Sequence, residues 1–344
     1  MCGFPTKVSR HIAGGGEPVS DLVITNGDAA GELLRRTLLG DEVLPWRDVL
    51  HEGPVPLADT LEGLTATRVE YLASAGGGDI GAIEFELTAR DRGLAMNGEF
   101  ERVVLWVEHD LYDQLQLLQV LDWFADHLRG PGTLLLVQTE DYIGRQEPEA
   151  IPQLAASAVP VTKSQLDLAK RAWMAFRQST PAAWAELLSE DLSALPFLRA
   201  AVLRMLEELP GPDGLSRTER QMLAVIEADE SVKALGVFMA VQKMEDAEFM
   251  GDWSFWRLLN DLSLAKEPLI AGLEAAPFQH QDPERAKAYL TSRLSLTSLG
   301  KAVLAGGADW SKHRTVDRWW GGTHLTEDNL WRWDPQAERL MAPA

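Results

Sequence analysis

Arg102-Val103-Val104-Leu105-Trp106-Val107-Glu108-His109-Asp110 decides how this chain is read. The apolar run from Val103 to Val107, rich in β-branched and aromatic side chains, predicts a strand over Arg102 to Val107 that is buried on both faces. Three polar residues close it. Leu111, Leu115, Leu118, Leu121, Phe124 and Leu128 then recur at helical spacing as far as Gly130-Pro131. A buried strand, a polar junction and an amphipathic helix make up half of a βαβ unit, and the same sequence of events can be sought on either side.

Upstream, Leu22 to Thr25 reads as a buried strand, Ala29 to Leu39 as a helix and Glu42 to Trp46 as a second strand. Asp59 through Ala95 reads as helical with a break at Gly76-Gly77-Gly78, and it suits a crossover between parallel strands. Downstream, Thr133 to Gln138 closes the set. The alternation predicts an α/β domain over 20–145: an open, mostly parallel, Rossmann-like sheet flanked by helices. Residues 1–19, with Gly14-Gly15-Gly16, read as a flexible lead-in without a signal-peptide core.

After Ile143 the strand signal stops. Residues 146–212 read as a helical connector, with Leu154 to Leu209 forming hairpins punctuated by Pro160, Pro181 and Pro196. From 213 to 344 a winged-helix-like domain is expected. Ser216-Arg217-Thr218-Glu219 forms a capping box, helices cover about Ser231 to Lys243 and Trp253 to Ala265, and strands lie in Pro268 to Leu273 and Tyr289 to Leu296. Its end is dense in tryptophan: Trp310, Trp319, Trp320, Trp331 and Trp333.

Composition bounds the partners. The net charge of −20 across 344 residues penalises contact with nucleic acid or anionic membrane and argues against duplex DNA, although a local basic patch would permit it. The single cysteine, Cys2, excludes an intrachain disulfide framework and fits a reducing, cytoplasmic setting. No apolar run approaches the roughly 20 residues of a membrane-spanning helix. Oligomeric state is open.

Three polar clusters follow the predicted strands: Asn26-Gly27-Asp28, then Trp46-Arg47-Asp48 with His51-Glu52-Gly53, then Glu108-His109-Asp110. In an open α/β sheet the carboxyl ends of parallel strands share an edge, so the clusters are expected to meet there. Arg47 suits a phosphate or carboxylate, and Asp48 or Glu52 would hold it when empty. Asp28 and Asp48 are candidate ligands for a divalent cation. Glu108, His109 and His51 are candidate acid–base groups. Each cluster also has a plain structural reading, as a turn, a helix cap or a loop ion pair, and Asp110 is a good cap for the helix from Leu111. Arg318 and His324, in Arg318-Trp319-Trp320-Gly321-Gly322-Thr323-His324, are candidate ligand contacts on a segment that otherwise reads as an aromatic plug. The candidate recognition helix carries Arg257 and Lys266 but also Asp252 and Asp261, too little positive charge for several phosphates.

Asn26-Gly27-Asp28, Leu44-Pro45-Trp46-Arg47-Asp48-Val49-Leu50-His51-Glu52-Gly53-Pro54, Trp106-Val107-Glu108-His109-Asp110-Leu111-Tyr112-Asp113-Gln114-Leu115, Asp317-Arg318-Trp319-Trp320-Gly321-Gly322-Thr323-His324-Leu325 and Trp331-Arg332-Trp333-Asp334 together resemble a bacterial family catalogued as domain of unknown function 1835. The resemblance covers most of the chain after about Ser20. It implies the α/β architecture with a helical and winged-helix-like C-terminal part, and it brings no activity. From the residues, the expected function is binding of an anionic, phosphorylated or nucleotide-like small molecule at the sheet edge, with metal-assisted hydrolytic or group-transfer chemistry as the enzyme reading. The alternative is a regulatory protein whose winged-helix-like part contacts DNA or a protein.

Overall fold

The structure, a computed structural model, describes residues 20–37, 42–127 and 133–343. The lead-in at 1–19 with Cys2, the expected helix end at Leu38 and Leu39, and the Leu128 to Pro131 stop lie outside the described residues. The chain divides into two compact units that interleave in sequence. The first takes residues up to 47, 88–108 and 126–162, and the second takes 48–87, 109–125 and 163 onward.

The first unit is built on β1 (Asp21–Thr25), α1 (Asp28–Thr37) and β2 (Glu42–Pro45); α2 (Leu61–Ser74) belongs to the second unit, and α3 (Ile80–Ala95) runs from the second into the first. β3 (Arg102–Glu108) follows, and α4 (Leu111–His127) leads to β4 (Leu134–Thr139), α5 (Ile151–Ala155) and β5 (Val159–Pro160). The sheet order is β2-β1-β3-β4-β5, with the first four strands parallel and β5 antiparallel to β4. Every residue of β1 is buried, as a central parallel strand covered on both faces requires. Val23, Val43, Val104, Trp106 and Val137 pack on Leu33 and Leu34 of α1 and on Ile143 and Ile151. At the amino edge Asp21 stands opposite Arg102, and the two side chains pair bidentately at 2.7 and 2.8 Å.

β5 was not expected. Two exposed residues carry no periodic signal, and Pro160, read as punctuation near a helix start, instead sits on an edge strand, where its missing N–H costs no ladder bond.

The second unit holds most of the thirteen α-helices among the described residues. α6 (Lys163–Phe176), α7 (Ala182–Glu186) and α8 (Leu198–Leu206) form the expected helical stretch, with Pro181 at the α7 cap. Ser216 and Glu219 make the reciprocal capping box that opens α9 (Arg217–Ala228). α10 (Ala234–Gln242), α11 (Asp252–Leu264), β6 (Ile270–Ala271), α12 (Pro283–Thr291), β7 (Ser295–Leu296) and α13 (Ser298–Leu304) follow. The strand expected over Tyr289 to Leu296 shrinks to Ser295–Leu296, because Tyr289 ends a capped helix and buries its ring, with its hydroxyl donating to Asn260 at 3.0 Å. The tryptophan-rich end forms two hairpins, β8 (Asp317–Trp320) with β9 (Thr323–Thr326) and β10 (Arg332–Asp334) with β11 (Arg339–Met341). No helix among the described residues is long and apolar enough to cross a membrane.

Candidate functional site

The strand order places one reversal in the first unit. β1 leads outward to β2, and the chain then returns to β3 on the other side of β1, so the carboxyl ends of β1 and β3 flank the switch point where open α/β sheets hold ligands. Asn26 follows β1 and Glu108 ends β3. The two side chains are hydrogen-bonded, although 82 positions of sequence separate them. Glu108 is buried, and it accepts the Ile143 amide at 2.7 Å and the Gly144 amide, which fastens the segment after β4. Burial pushes its carboxyl above the ordinary range, against the pull of those amides, Asn26 and Arg145.

At the neighbouring position of the edge, Arg47 follows β2 and grips Asp28, the first residue of α1, through its Nε at 2.8 Å. The side chains are 44% and 72% exposed, so an anion from solvent can compete for this guanidinium. The sequence reading named Asp48 or Glu52 as the holding partner and did not foresee Asp28, which the turn through Gly27 sets at the start of α1 within reach of Arg47.

Asp48 belongs to the second unit and meets a residue that the sequence reading passed over. Arg68, on α2, and Asp48 both have fully buried side chains, joined by Nη2 to Oδ1 at 2.7 Å and Nε to Oδ1 at 3.0 Å. The same guanidinium donates to the carbonyls of Val49, Glu52 and Pro54, so it fixes the loop as well as the acid. Leu64 and Arg68 lie one helical turn apart on a buried face. A lone arginine at an apolar helical position was the available signal.

His51 lies in the same loop and is buried too. Its Nε2 is 3.4 Å from Ser254 Oγ, its ring meets Phe249 edge-on at 5.1 Å, and its Nδ1 has no hydrogen-bond partner among the described residues. Burial holds its pKa below the ordinary 6.5, outweighing Glu52 and Glu208, while Arg68 and Arg204 push the same way as burial. This histidine is an interior group, away from the solvent-facing rim where the sequence reading expected it. Glu52 accepts the Tyr71 hydroxyl at 3.2 Å and lies 3.4 Å from Arg257 Nε on α11. Gly53 has φ +71, and a Cβ there would come within 2.3 Å of the Tyr71 ring.

His109, half-buried in the second unit, stands edge-on to Phe197 at 6.0 Å. Asp110 accepts the Asp113 amide at 3.2 Å, which is the capping role. Among the described residues, neither Asp28 nor Asp48 belongs to a group of three side chains with metal-ligand spacing, and each is spent on its own arginine.

Arg318 and His324 do not converge on one ligand. In the β8–β9 register Arg318 faces Leu325 whereas Trp319 faces His324, and successive residues of a strand point to opposite sides. Arg318 approaches buried Glu208 at 3.6 Å, while His324 stacks on Trp319 at 4.4 Å and bonds Asp317 at 2.7 Å. The segment is a plug: Trp320 is buried and donates to the Met205 carbonyl at 2.8 Å, and the Gly321-Gly322 turn lies on the carbonyls of Phe176 and Arg177, where any Cβ would collide.

No family model matches this chain, and no curated protein matches it.

Proposed function

We propose that the α/β unit, a Rossmann-like domain, binds an anionic small molecule, phosphorylated or nucleotide-like, at the carboxyl edge of its sheet. The observation that carries this reading is the arrangement at the strand-order reversal. Asn26 and Glu108 flank it, and Arg47 presents a part-exposed guanidinium paired with the exposed carboxylate of Asp28. Arg47 takes the anion and releases Asp28, and Asn26 with Gly27 supplies neutral contacts beside the start of α1. Glu108, with its raised pKa, is the group suited to general-base work in a hydrolytic or group-transfer reaction, with a divalent cation as co-reactant. A cytoplasmic setting belongs to this reading, in keeping with the lone cysteine.

The test is a thermal-shift screen of nucleotides, sugar phosphates and divalent cations against wild type and Arg47→Ala. A ligand at a hundredfold its Kd stabilises the folded form by about 2.7 kcal/mol. The expected result is a ligand that raises Tm for wild type and not for the variant. Equal shifts in both, or no shift with any compound, would overturn the proposal.

A second reading rests on a different observation. α9, α10 and α11 precede the antiparallel β6–β7 pair, an order similar to that of a winged helix with α12 inserted between the two strands and α11 in the place of the recognition helix. Ser254 of α11 is buried against His51, and Arg257 donates to the Ala75 carbonyl at 2.9 Å and lies over the Tyr71 ring. A helix so engaged with its own unit favours a protein-contact role over reading a DNA groove. Binding of duplex DNA that weakens steeply with salt would reverse that preference.

A further inference from the structure

The second unit exposes two apolar surfaces of opposite charge. α10 contains no charged residue and is apolar on every side apart from Gln242. Ala234, Val237 and Val241 are buried on its inner side, whereas Leu235 and Met239, one turn apart, are 43% and 54% exposed, with Met244 exposed just beyond. A helix apolar all round belongs in an interior, so its outer stripe lacks a cover. Lys233 and Lys243 stand at its two caps, and Arg293 faces Lys233 across an antiparallel bridge, like charge against like. All three cations are exposed and form no ion pair among the described residues. Glu230 and Asp246, the exposed acids nearest in sequence, lie outside the two lysines.

The beginning of α3 has the opposite character. Phe85 is 74% exposed, the highest value among the exposed large apolar residues of the described chain, and Ile80 is 54% exposed. Asp79 and Glu84 are exposed around them, without a cation in the stretch from 79 to 87.

We propose that the Phe85 face of α3 in one copy of the chain docks on the Leu235–Met239 stripe of α10 in a second copy. Both halves of the contact are present on this chain, and the apolar centre of each is framed by the charge that the other lacks. Either patch placed on itself would set like charges together, so α3 of one copy meets α10 of the other, in a two-fold dimer if both contacts form at once and in a ring or open chain if they do not. The overall charge of −20 opposes unspecific association, so association requires a local match such as this one.

Sedimentation velocity at about 0.15 M salt, where only neighbouring charges act on each other, tests the proposal. Wild type is expected to rise above the 38.0 kDa monomer as concentration increases. Phe85→Ala, and separately Lys233→Glu with Lys243→Glu, should each weaken association by about tenfold or more. Adding Glu84→Lys to the lysine reversals should restore part of it. Unchanged circular dichroism and melting temperature separate lost association from lost folding. A wild type that stays monomeric at every concentration, or a charge swap that restores nothing, would overturn the proposal. So would binding of monomers to anionic vesicles through Lys233 and Lys243, which assigns the stripe to a lipid surface.

Discussion

Two ion pairs, one in each unit, use adjacent residues of the chain to opposite ends. Arg47 reaches an exposed carboxylate at the edge of the sheet, in a pair that water and salt screen. Asp48 enters an interior where Arg68 pairs with it and also serves three loop carbonyls. The first pair contributes little to stability and can be exchanged for a ligand. The second organises the loop from Val49 to Pro54 and cannot be opened cheaply, because either partner left alone is an uncompensated buried charge.

Breaking the buried pair should give the largest effect. Arg68→Met or Asp48→Asn is expected to cost about 3–5 kcal/mol in urea unfolding, and Arg68→Met with Asp48→Leu should recover part of that loss. Full stability in either single variant would abolish the contrast. Gly53→Ala tests the loop that the pair holds. Positive φ and contact with the Tyr71 ring should together cost about 1–3 kcal/mol, and a neutral outcome would show that the loop relaxes.

Acid should distinguish the regions next. His51 has a folded pKa below its unfolded value, so the unfolded chain binds the proton more readily. Stability therefore holds above about pH 6.5 and falls as pH drops from there through the folded pKa. His51→Gln should flatten this part of the pH–stability profile, and an unchanged slope would remove His51 as its source. The smallest effect belongs to the exposed pair: Arg47→Ala should change stability by about 1 kcal/mol or less while abolishing the ligand shift. A greater loss would mean that this pair, too, is structural.

The sheet was legible because a buried parallel strand announces itself twice, by an unbroken apolar run and by the polar turn that ends it. β1, β3 and β4 fall within a residue or so of the expected bounds. The capping box at Ser216 was legible for a related reason, since both partners lie within one turn. The two-residue strand β5 and the hairpins of the tryptophan-rich end were not, because so few residues establish no period. Among the candidate site residues, Asn26, Asp28, Arg47 and Glu108 were found with their neighbours at the sheet edge. His51 and Asp48 were selected by the same polar pattern and proved to be interior.

The order of apolar and polar residues by itself determined the α/β alternation, the helix caps and the acidic surface, since each depends on neighbours within a turn or a strand. Only the tertiary structure decided which charged groups meet water. Arg47 and Asp48 are equally polar in sequence, but α2 brings Arg68 to one of them and leaves the other to Asp28. The dielectric around a charge is set by what packs on it, and that packing comes from residues tens of positions away.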